Sequence, residues 1–108
     1  MSDKIKEFIS GEMEGLQMND RQFKEYLNEK LSAESDTYIR SHVTVVNMRA
    51  HGKAPSTDLL EDMLCVYPVR DRRFRIALRL LALKSPHVWG LGGLVWGLKN
   101  DSLLPSAE

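Results

Sequence analysis

The residues with the clearest capacity for chemistry in this sequence are arginines. Five of them fall within residues 70–79, at Arg70, Arg72, Arg73, Arg75 and Arg79. A guanidinium group binds phosphate or carboxylate oxygens through paired hydrogen bonds, and it stays charged at physiological pH. The cluster therefore predicts contact with an anion, either the phosphates of a nucleic acid or carboxylates.

The charge of the chain is balanced overall but unevenly distributed. Fifteen basic and fifteen acidic residues give a net charge of zero, which argues against a protein that coats nucleic acid through bulk charge. Residues 1–37 carry a net charge of −4, residues 38–84 a net charge of +5, and residues 85–108 a net charge of −1. Either the acidic first part and the basic middle meet each other, or the basic middle meets an external anion.

The other chemically capable residues are too scattered to predict a catalytic or metal site. The histidines His42, His51 and His87 have no cysteine or carboxylate at metal-ligand spacing. Cys65 lies in an apolar stretch, where we expect a buried, unreactive thiol. The glycines at 90–93 lack the spacing and the preceding strand of a dinucleotide-binding loop. We therefore expect no enzymatic activity, no metal and no cofactor.

Length and composition predict one small intracellular domain. The chain has 108 residues and a mass of 12.3 kDa, which fits a single domain. A single cysteine excludes an internal disulfide, and no apolar run approaches the roughly 18 residues that span a membrane. We expect a cytoplasmic protein with no membrane partner, one helical domain over residues 1–99 and a flexible tail over residues 100–108.

Apolar residues recur at steps of three and four along the chain, which predicts an all-α fold. We expect a compact bundle of five or six short helices. The first covers residues 3–16. The second is capped by Asn19, with Gln22 in the capping-box position three residues later.

The third helical segment has the weakest signal. It is predicted to open near Ser35 or Asp36 and to end at Gly52. Its β-branched valines lower the helix propensity, so a strand over residues 42–48 is the alternative.

Two further helices follow with clearer boundaries. Ser56 or Thr57 caps the fourth, and Pro68 stops it. Asp71 caps the fifth, which runs to about Lys84 and is apolar on most of its surface, so we expect it at the centre of the bundle. The predicted core of the domain includes Phe23, Leu27, Leu60, Leu64, Phe74, Leu78 and Leu81.

The C-terminal segment combines tryptophans with glycines. Ser85-Pro86 predicts a sixth helix start, and Trp89 and Trp96 follow with four glycines among residues 90–97. Because glycine disfavours an isolated helix, this segment is expected to form a tight contact within the domain or across a homodimer. The tryptophans either fill the core or anchor a protein partner.

One stretch of the chain resembles a known DNA-binding family. Within residues 43–67, a predicted helix ends at Gly52, a loop carries Lys53 and Pro55-Ser56, and the next helix contains the apolar pairs Leu59-Leu60 and Met63-Leu64. This order is similar to the second half of helix-turn-helix domains of the Cro and lambda-repressor type. The resemblance implies that the helix before Gly52, which carries Thr44, Asn47, Met48, Arg49 and His51, enters the major groove of DNA.

The resemblance also implies a role for individual residues. Arginine pairs with guanine and asparagine with adenine, so Arg49 and Asn47 are the expected base readers. Lys53 and the backbone of Ser56, at a helix N-terminus, are expected to contact phosphate.

Together these observations predict a small regulatory protein that binds nucleic acid, with DNA favoured over RNA, and acts in transcription regulation. The alternative is a small helical interaction subunit or inhibitor that docks to a larger protein or nucleoprotein complex through Trp89 and Trp96. The predicted nucleic-acid contacts are Asn47, Arg49, Lys53, Arg70, Arg72, Arg73 and Arg75.

Overall fold

The structure, a computed structural model, describes residues 3–84, and in that range it consists of five α-helices. They are α1 (Asp3–Leu16), α2 (Asp20–Asn28), α3 (Val43–His51), α4 (Thr57–Val66) and α5 (Arg72–Lys84). The all-α prediction is confirmed, and the alternative strand over residues 42–48 is wrong because α3 occupies that region. The predicted sixth helix, both tryptophans and the predicted tail lie outside the described residues. No helix in the described range is long and apolar enough to cross a membrane.

The start of α2 follows its predicted capping signal. The Asn19 side chain accepts a hydrogen bond of 2.8 Å from the Gln22 backbone N–H, and the Gln22 side chain accepts one of 2.9 Å from the Asn19 N–H. Just before this cap, Gln17 adopts a left-handed backbone with φ of 56°, and the Met18 N–H donates to the Met13 carbonyl. The chain therefore turns from α1 into α2 within three residues.

The predicted start of the third helix near Ser35 or Asp36 is wrong, because α3 begins at Val43. The buried Asn28 side chain donates to the Ile39 carbonyl at 2.8 Å and accepts from the Ile39 N–H at 2.9 Å. The N–H and the C=O of Ile39 are therefore hydrogen-bonded to the Asn28 side chain and not to the backbone of a helix. The Ser35 hydroxyl also accepts from the Thr37 N–H, a local bond that competes with helix formation.

The ends of α3 and α4 match the predictions. Gly52 is the C-cap of α3 in a left-handed conformation with φ of 64°, which glycine adopts without a side-chain clash. The Ser56 hydroxyl caps α4 by accepting a hydrogen bond from the Leu59 N–H. The helix then ends at Val66, two residues before Pro68.

The core is shared by all five helices. In the described range, α1 and α2 pack on α3, α4 packs on α5, and α1 also contacts α5. Five of the seven predicted core residues are buried, whereas Leu64 and Leu78 are only partly buried. Cys65 is exposed, so the predicted buried thiol is wrong. It lies on the outward side of α4, where its neighbour Val66 is also exposed.

A buried cation connects the end of α2 to the turn between α4 and α5. The Arg73 side chain is only 10% exposed, and its guanidinium lies 4.6 Å from the Tyr26 ring centroid and 4.3 Å from that of Tyr67. It donates to both carboxylate oxygens of Asp71, to the Tyr26 carbonyl and to Glu29. The hydrogen bonds that Arg73 donates to Asp71 lower the pKa of Asp71 and raise the pKa of Arg73.

The Tyr67 hydroxyl strengthens the same connection. It donates to the Leu27 carbonyl at 2.7 Å and accepts from the Lys30 N–H at 3.0 Å. These partners are backbone groups at the C-terminal end of α2, where a helix leaves carbonyls without an intrahelical donor. Burial raises the pKa of Tyr67, which keeps the hydroxyl protonated and able to donate.

Three ion pairs join the acidic first part of the chain to the basic middle. Arg73 pairs with Glu29, Arg72 Nε lies 2.6 Å from Glu12 Oε1, and Arg49 pairs with Asp20 through two hydrogen bonds of 2.7 Å. The two oppositely charged regions therefore meet each other. The cations that remain without an ion pair in the described range are those available to an external anion.

We expect Arg73→Ala to lower the free energy of unfolding by about 3 kcal/mol, because it leaves the half-buried carboxylate of Asp71 without its cation. The measurement is urea unfolding followed by circular dichroism. Arg70→Ala is the matched control in the turn before α5, since Arg70 is exposed and its loss is expected to change stability by less than about 0.5 kcal/mol. Equal effects of the two substitutions would contradict the role given to Arg73.

We expect Asn28→Ala to lower the free energy of unfolding by about 2 kcal/mol, because it leaves the buried N–H and C=O of Ile39 without partners. Amide hydrogen exchange provides a second readout. The Ile39 amide should lose protection, whereas Gln22→Ala, which removes only an exposed cap, should leave that amide protected. Unchanged protection of the Ile39 amide in Asn28→Ala would show that the Asn28 side chain does not hold this backbone segment in place.

The stability of the fold should decline in acid. The pKa of Asp71 and that of Asp20 lie below the ordinary value of 3.8, chiefly because Arg73 and Arg49 donate hydrogen bonds to them. A carboxyl whose pKa is lower in the folded state contributes stability that is complete above the unfolded pKa and is lost as pH falls through the folded pKa. Below about pH 4, Asp71→Asn should therefore lose stability less steeply than the wild type. If the unfolding free energies of Asp71→Asn and the wild type fall in parallel as the pH is lowered, the pKa of Asp71 does not contribute to the loss of stability in acid.

Candidate nucleic-acid interface

The exposed side of α3 borders a notch formed with the start of α4. Val45 and Met48 are fully buried beneath the helix, whereas Thr44 and Asn47 are partly buried and lie on the side of the helix that faces the loop before α4. Both line a notch of about 200 Å³, whose other wall is the loop from Lys53 to Ser56. At the beginning of the helix, Val43 is 51% exposed. The notch thus combines a hydroxyl, an amide and an ammonium group beside an exposed apolar side chain.

A second groove continues from this notch. It has a volume of about 380 Å³ and shares Thr44, Pro55 and Ser56 with the notch. Its further lining includes Tyr38 and Arg40, from the irregular segment before α3. We call the combined surface the α3–α4 surface; its lining residues are Asp36–Ser41, Thr44, Asn47, Lys53–Ser56 and Leu59.

The cations of this surface are free of ion pairs among residues 3–84. Lys53 is exposed, and Arg40 is exposed with one hydrogen bond to the Ser35 carbonyl and its guanidinium 5.6 Å from the Tyr38 ring centroid. Lys84 adds a third positive charge, because its ammonium donates to the Pro55 carbonyl at 2.7 Å. Within the lining, Arg40 and Lys53 exceed Asp36 by one positive charge, and Asp62 lies at the edge of the surface, where it accepts a hydrogen bond from the Thr37 hydroxyl.

The N-terminus of α4 contributes further hydrogen-bond donors. The first N–H groups of a helix have no intrahelical acceptor and carry partial positive charge. Here Ser56 satisfies the Leu59 N–H, and the loop beside Lys53 leads directly into this first turn. Asp58, in the same turn, offsets part of this positive charge.

Of the predicted base readers, only Asn47 lies on this surface. Arg49, although just two residues later, turns towards α2 and binds Asp20 with both donors of its guanidinium fork. Its side chain is 39% exposed, and the bond to Asp20 raises its pKa. Arg49 therefore fixes α3 on α2. Lys53, the predicted phosphate contact, lies on the same surface as Asn47.

The predicted arginine cluster does not form one surface. Arg73 is buried in the network with Asp71 and Glu29, so it is not available to an external anion. Arg72 pairs with Glu12 and lines, together with Arg75 and Arg79, a separate groove between α1 and α5. That groove shares no lining residue with the α3–α4 surface.

The remaining member of the cluster, Arg70, is exposed in the turn before α5, and its carbonyl accepts a hydrogen bond from Arg75. The sequence interpretation missed Arg40 and Lys84 as neighbours of Asn47. Arg40 lies three residues before the start of α3, so a correct prediction of that start would have indicated it. Lys84 reaches the loop only through the packing of α5, and no local signal indicates this.

The α3–α4 surface offers hydrogen-bond donors, acceptors and positive charge, which are the means of binding an anion or the edge of a base. Among residues 3–84, no three histidine, cysteine, aspartate or glutamate side chains lie close enough to hold a metal ion. A scan against protein-family models, a search of curated proteins and a search of solved structures each found no match to this chain.

Proposed function

We propose that this protein is a non-enzymatic regulator that binds duplex DNA through the α3–α4 surface. The observation that carries the proposal is the junction of two features on one surface. The partly exposed side of a short helix, with Thr44 and Asn47, adjoins two cations that have no ion pair among the described residues, Arg40 and Lys53. A base-reading side chain beside a phosphate-binding cation is the combination that DNA recognition requires.

The dimensions of α3 suit the major groove. A helix of nine residues is about 13 Å long, and the groove of B-DNA, about 12 Å wide, admits a helix. In this placement the Asn47 amide pairs with the N6 and N7 edge of adenine. Thr44 donates to or accepts from a neighbouring base, and the exposed methyl groups of Val43 contact a thymine methyl.

Phosphate contacts would come from both ends of this helix. Lys53 follows the C-terminal end of α3, and Arg40 precedes its beginning, in a groove that it shares with Ser56 at the start of α4. Contacts of this kind fix the register of the protein on DNA without reading sequence. Arg49, bonded to Asp20, keeps α3 in position on α2 and contacts no base in this arrangement.

The alternative remains docking to a larger protein through Trp89 and Trp96, which lie outside the described residues. The net charge of zero favours it. The two functions differ in salt dependence, because phosphate binding releases counterions and weakens steeply as salt rises.

The test is binding to a randomised duplex DNA pool at 50 and 200 mM salt, followed by selection of preferred sequences. Lys53→Ala should weaken binding to all sequences alike and reduce the salt slope by about 1. Asn47→Ala should relax the preference for adenine at one position, with a loss of about 1–3 kcal/mol on the selected sequence.

Lys30→Ala is the matched control, since Lys30 is an exposed lysine at the end of α2, away from the lining of the α3–α4 surface. It should leave affinity and salt slope unchanged. If the wild type binds no duplex DNA even at 50 mM salt, or if Lys30→Ala weakens binding as much as Lys53→Ala, the proposal is wrong. Docking to a protein then takes its place.

A further inference from the structure

The ion pair between Arg49 and Asp20 lies directly beside the proposed DNA contact. Arg49 is the arginine of α3 and follows Asn47 by two residues. Its Nε and Nη2 atoms each donate a hydrogen bond of 2.7 Å to a different carboxylate oxygen of Asp20. A carboxylate and a phosphate bind a guanidinium in the same paired geometry. Asp20 therefore occupies the donors that Arg49 would otherwise offer to a DNA phosphate.

The rotation of α3 places Arg49 at the edge of the side that would enter the groove. Successive side chains of a helix are rotated by about 100°. Because Val45 and Met48 are buried, the half-exposed Val43 marks the outward side of the helix. Thr44 lies on the flank towards the loop before α4, and Arg49 lies on the flank towards α2. The phosphate backbones of the two strands border the major groove, so each flank would face one of them.

The pair can open without unfolding the domain, because water reaches both partners. The Arg49 side chain is 39% exposed and that of Asp20 is 21% exposed, and an ion pair in contact with water contributes little to stability. Val45 and Met48 keep α3 packed on the core when the pair is broken. Arg73, by contrast, is buried between two tyrosine rings and is not free to reorient.

We propose that Asp20 is an internal competitor of phosphate, which holds Arg49 on α2 and thereby limits the affinity of the protein for DNA of any sequence. This rests on the proposed function, because the outward side of α3 must face DNA for Arg49 to approach a phosphate. In the wild type, affinity for random DNA then comes from the cations of the α3–α4 surface. Asp20 regulates that affinity without contacting DNA.

The test is binding of Asp20→Asn to a randomised duplex DNA pool. Asparagine keeps the size of the side chain and removes the charge that holds Arg49. One additional phosphate contact steepens the dependence of log K on log salt by about 0.9. We therefore expect binding roughly tenfold tighter than that of the wild type at 50 mM salt and roughly threefold tighter at 200 mM. The preference for adenine that Asn47 confers should remain unchanged.

Two controls separate the release of Arg49 from the loss of an acidic charge. Glu12→Gln changes the net charge equally and releases Arg72 from a pair of the same exposure, 39% and 21%, on the separate α1–α5 groove. Asp20→Asn combined with Arg49→Gln breaks the pair but releases no cation. Both should bind random DNA within about twofold of the wild type. Circular dichroism checks that the helices are retained, and Asp20→Ser is a second variant with the same expected gain.

The outcomes distinguish a failure of this competition from a failure of DNA binding itself. If the wild type binds and the Asp20 variants bind random DNA no more tightly, the role of Asp20 is wrong and the DNA contact stands. An equal gain in Glu12→Gln or in the double variant would also overturn it, because the gain would then not come from Arg49. If the wild type binds no duplex DNA at 50 mM salt, the proposed function and the role of Asp20 are both wrong.

Discussion

The guanidinium of Arg73 is the contact on which the arrangement of the helices depends. In the described range, α2 packs mainly on α3, whereas α4 packs mainly on α5. The polar network around Arg73 joins these two groups, because it connects the Tyr26 carbonyl and Glu29 at the end of α2 to Asp71 at the start of α5. A buried cation is tolerated there because two carboxylates and two aromatic rings surround it.

This network also explains the uneven charge of the sequence. The acidic first part of the chain contributes Glu29, Glu12 and Asp20, and each pairs with an arginine of the basic middle. Much of the charge asymmetry is therefore internal complementarity between helices that are distant in sequence. The positive charge that remains at the α3–α4 surface comes from residues without an acidic partner among residues 3–84, and it is a smaller charge than the arginine count indicates.

Helix boundaries were predictable from the sequence where the signal was local. Asn19 with Gln22, Gly52 and Ser56 each act within four residues, and the structure uses all of them. The start of α3 was not predictable, because it depends on Asn28 binding a backbone unit eleven residues away. The same limit applies to the candidate site. Arg49 and Lys53 are both cations near one helix end, and only tertiary packing places an aspartate beside Arg49.

Some cations of the chain are held in internal ion pairs, and others, on the α3–α4 surface, are free of them among residues 3–84. This distribution affects whether the proposed DNA binding would be sequence-specific or non-specific. Non-specific affinity depends on the number of phosphates that a protein neutralises, and here most arginines are paired, buried or placed on another groove. If the protein binds DNA as proposed, a surface with three cations, Arg40, Lys53 and Lys84, would neutralise few phosphates and would bind random DNA weakly. Contacts to bases, by Asn47 and its neighbours on α3, would then make up a larger share of the binding free energy. Because specificity is the ratio of the two affinities, internal pairing of the arginines would favour discrimination between sequences over tight binding to all of them.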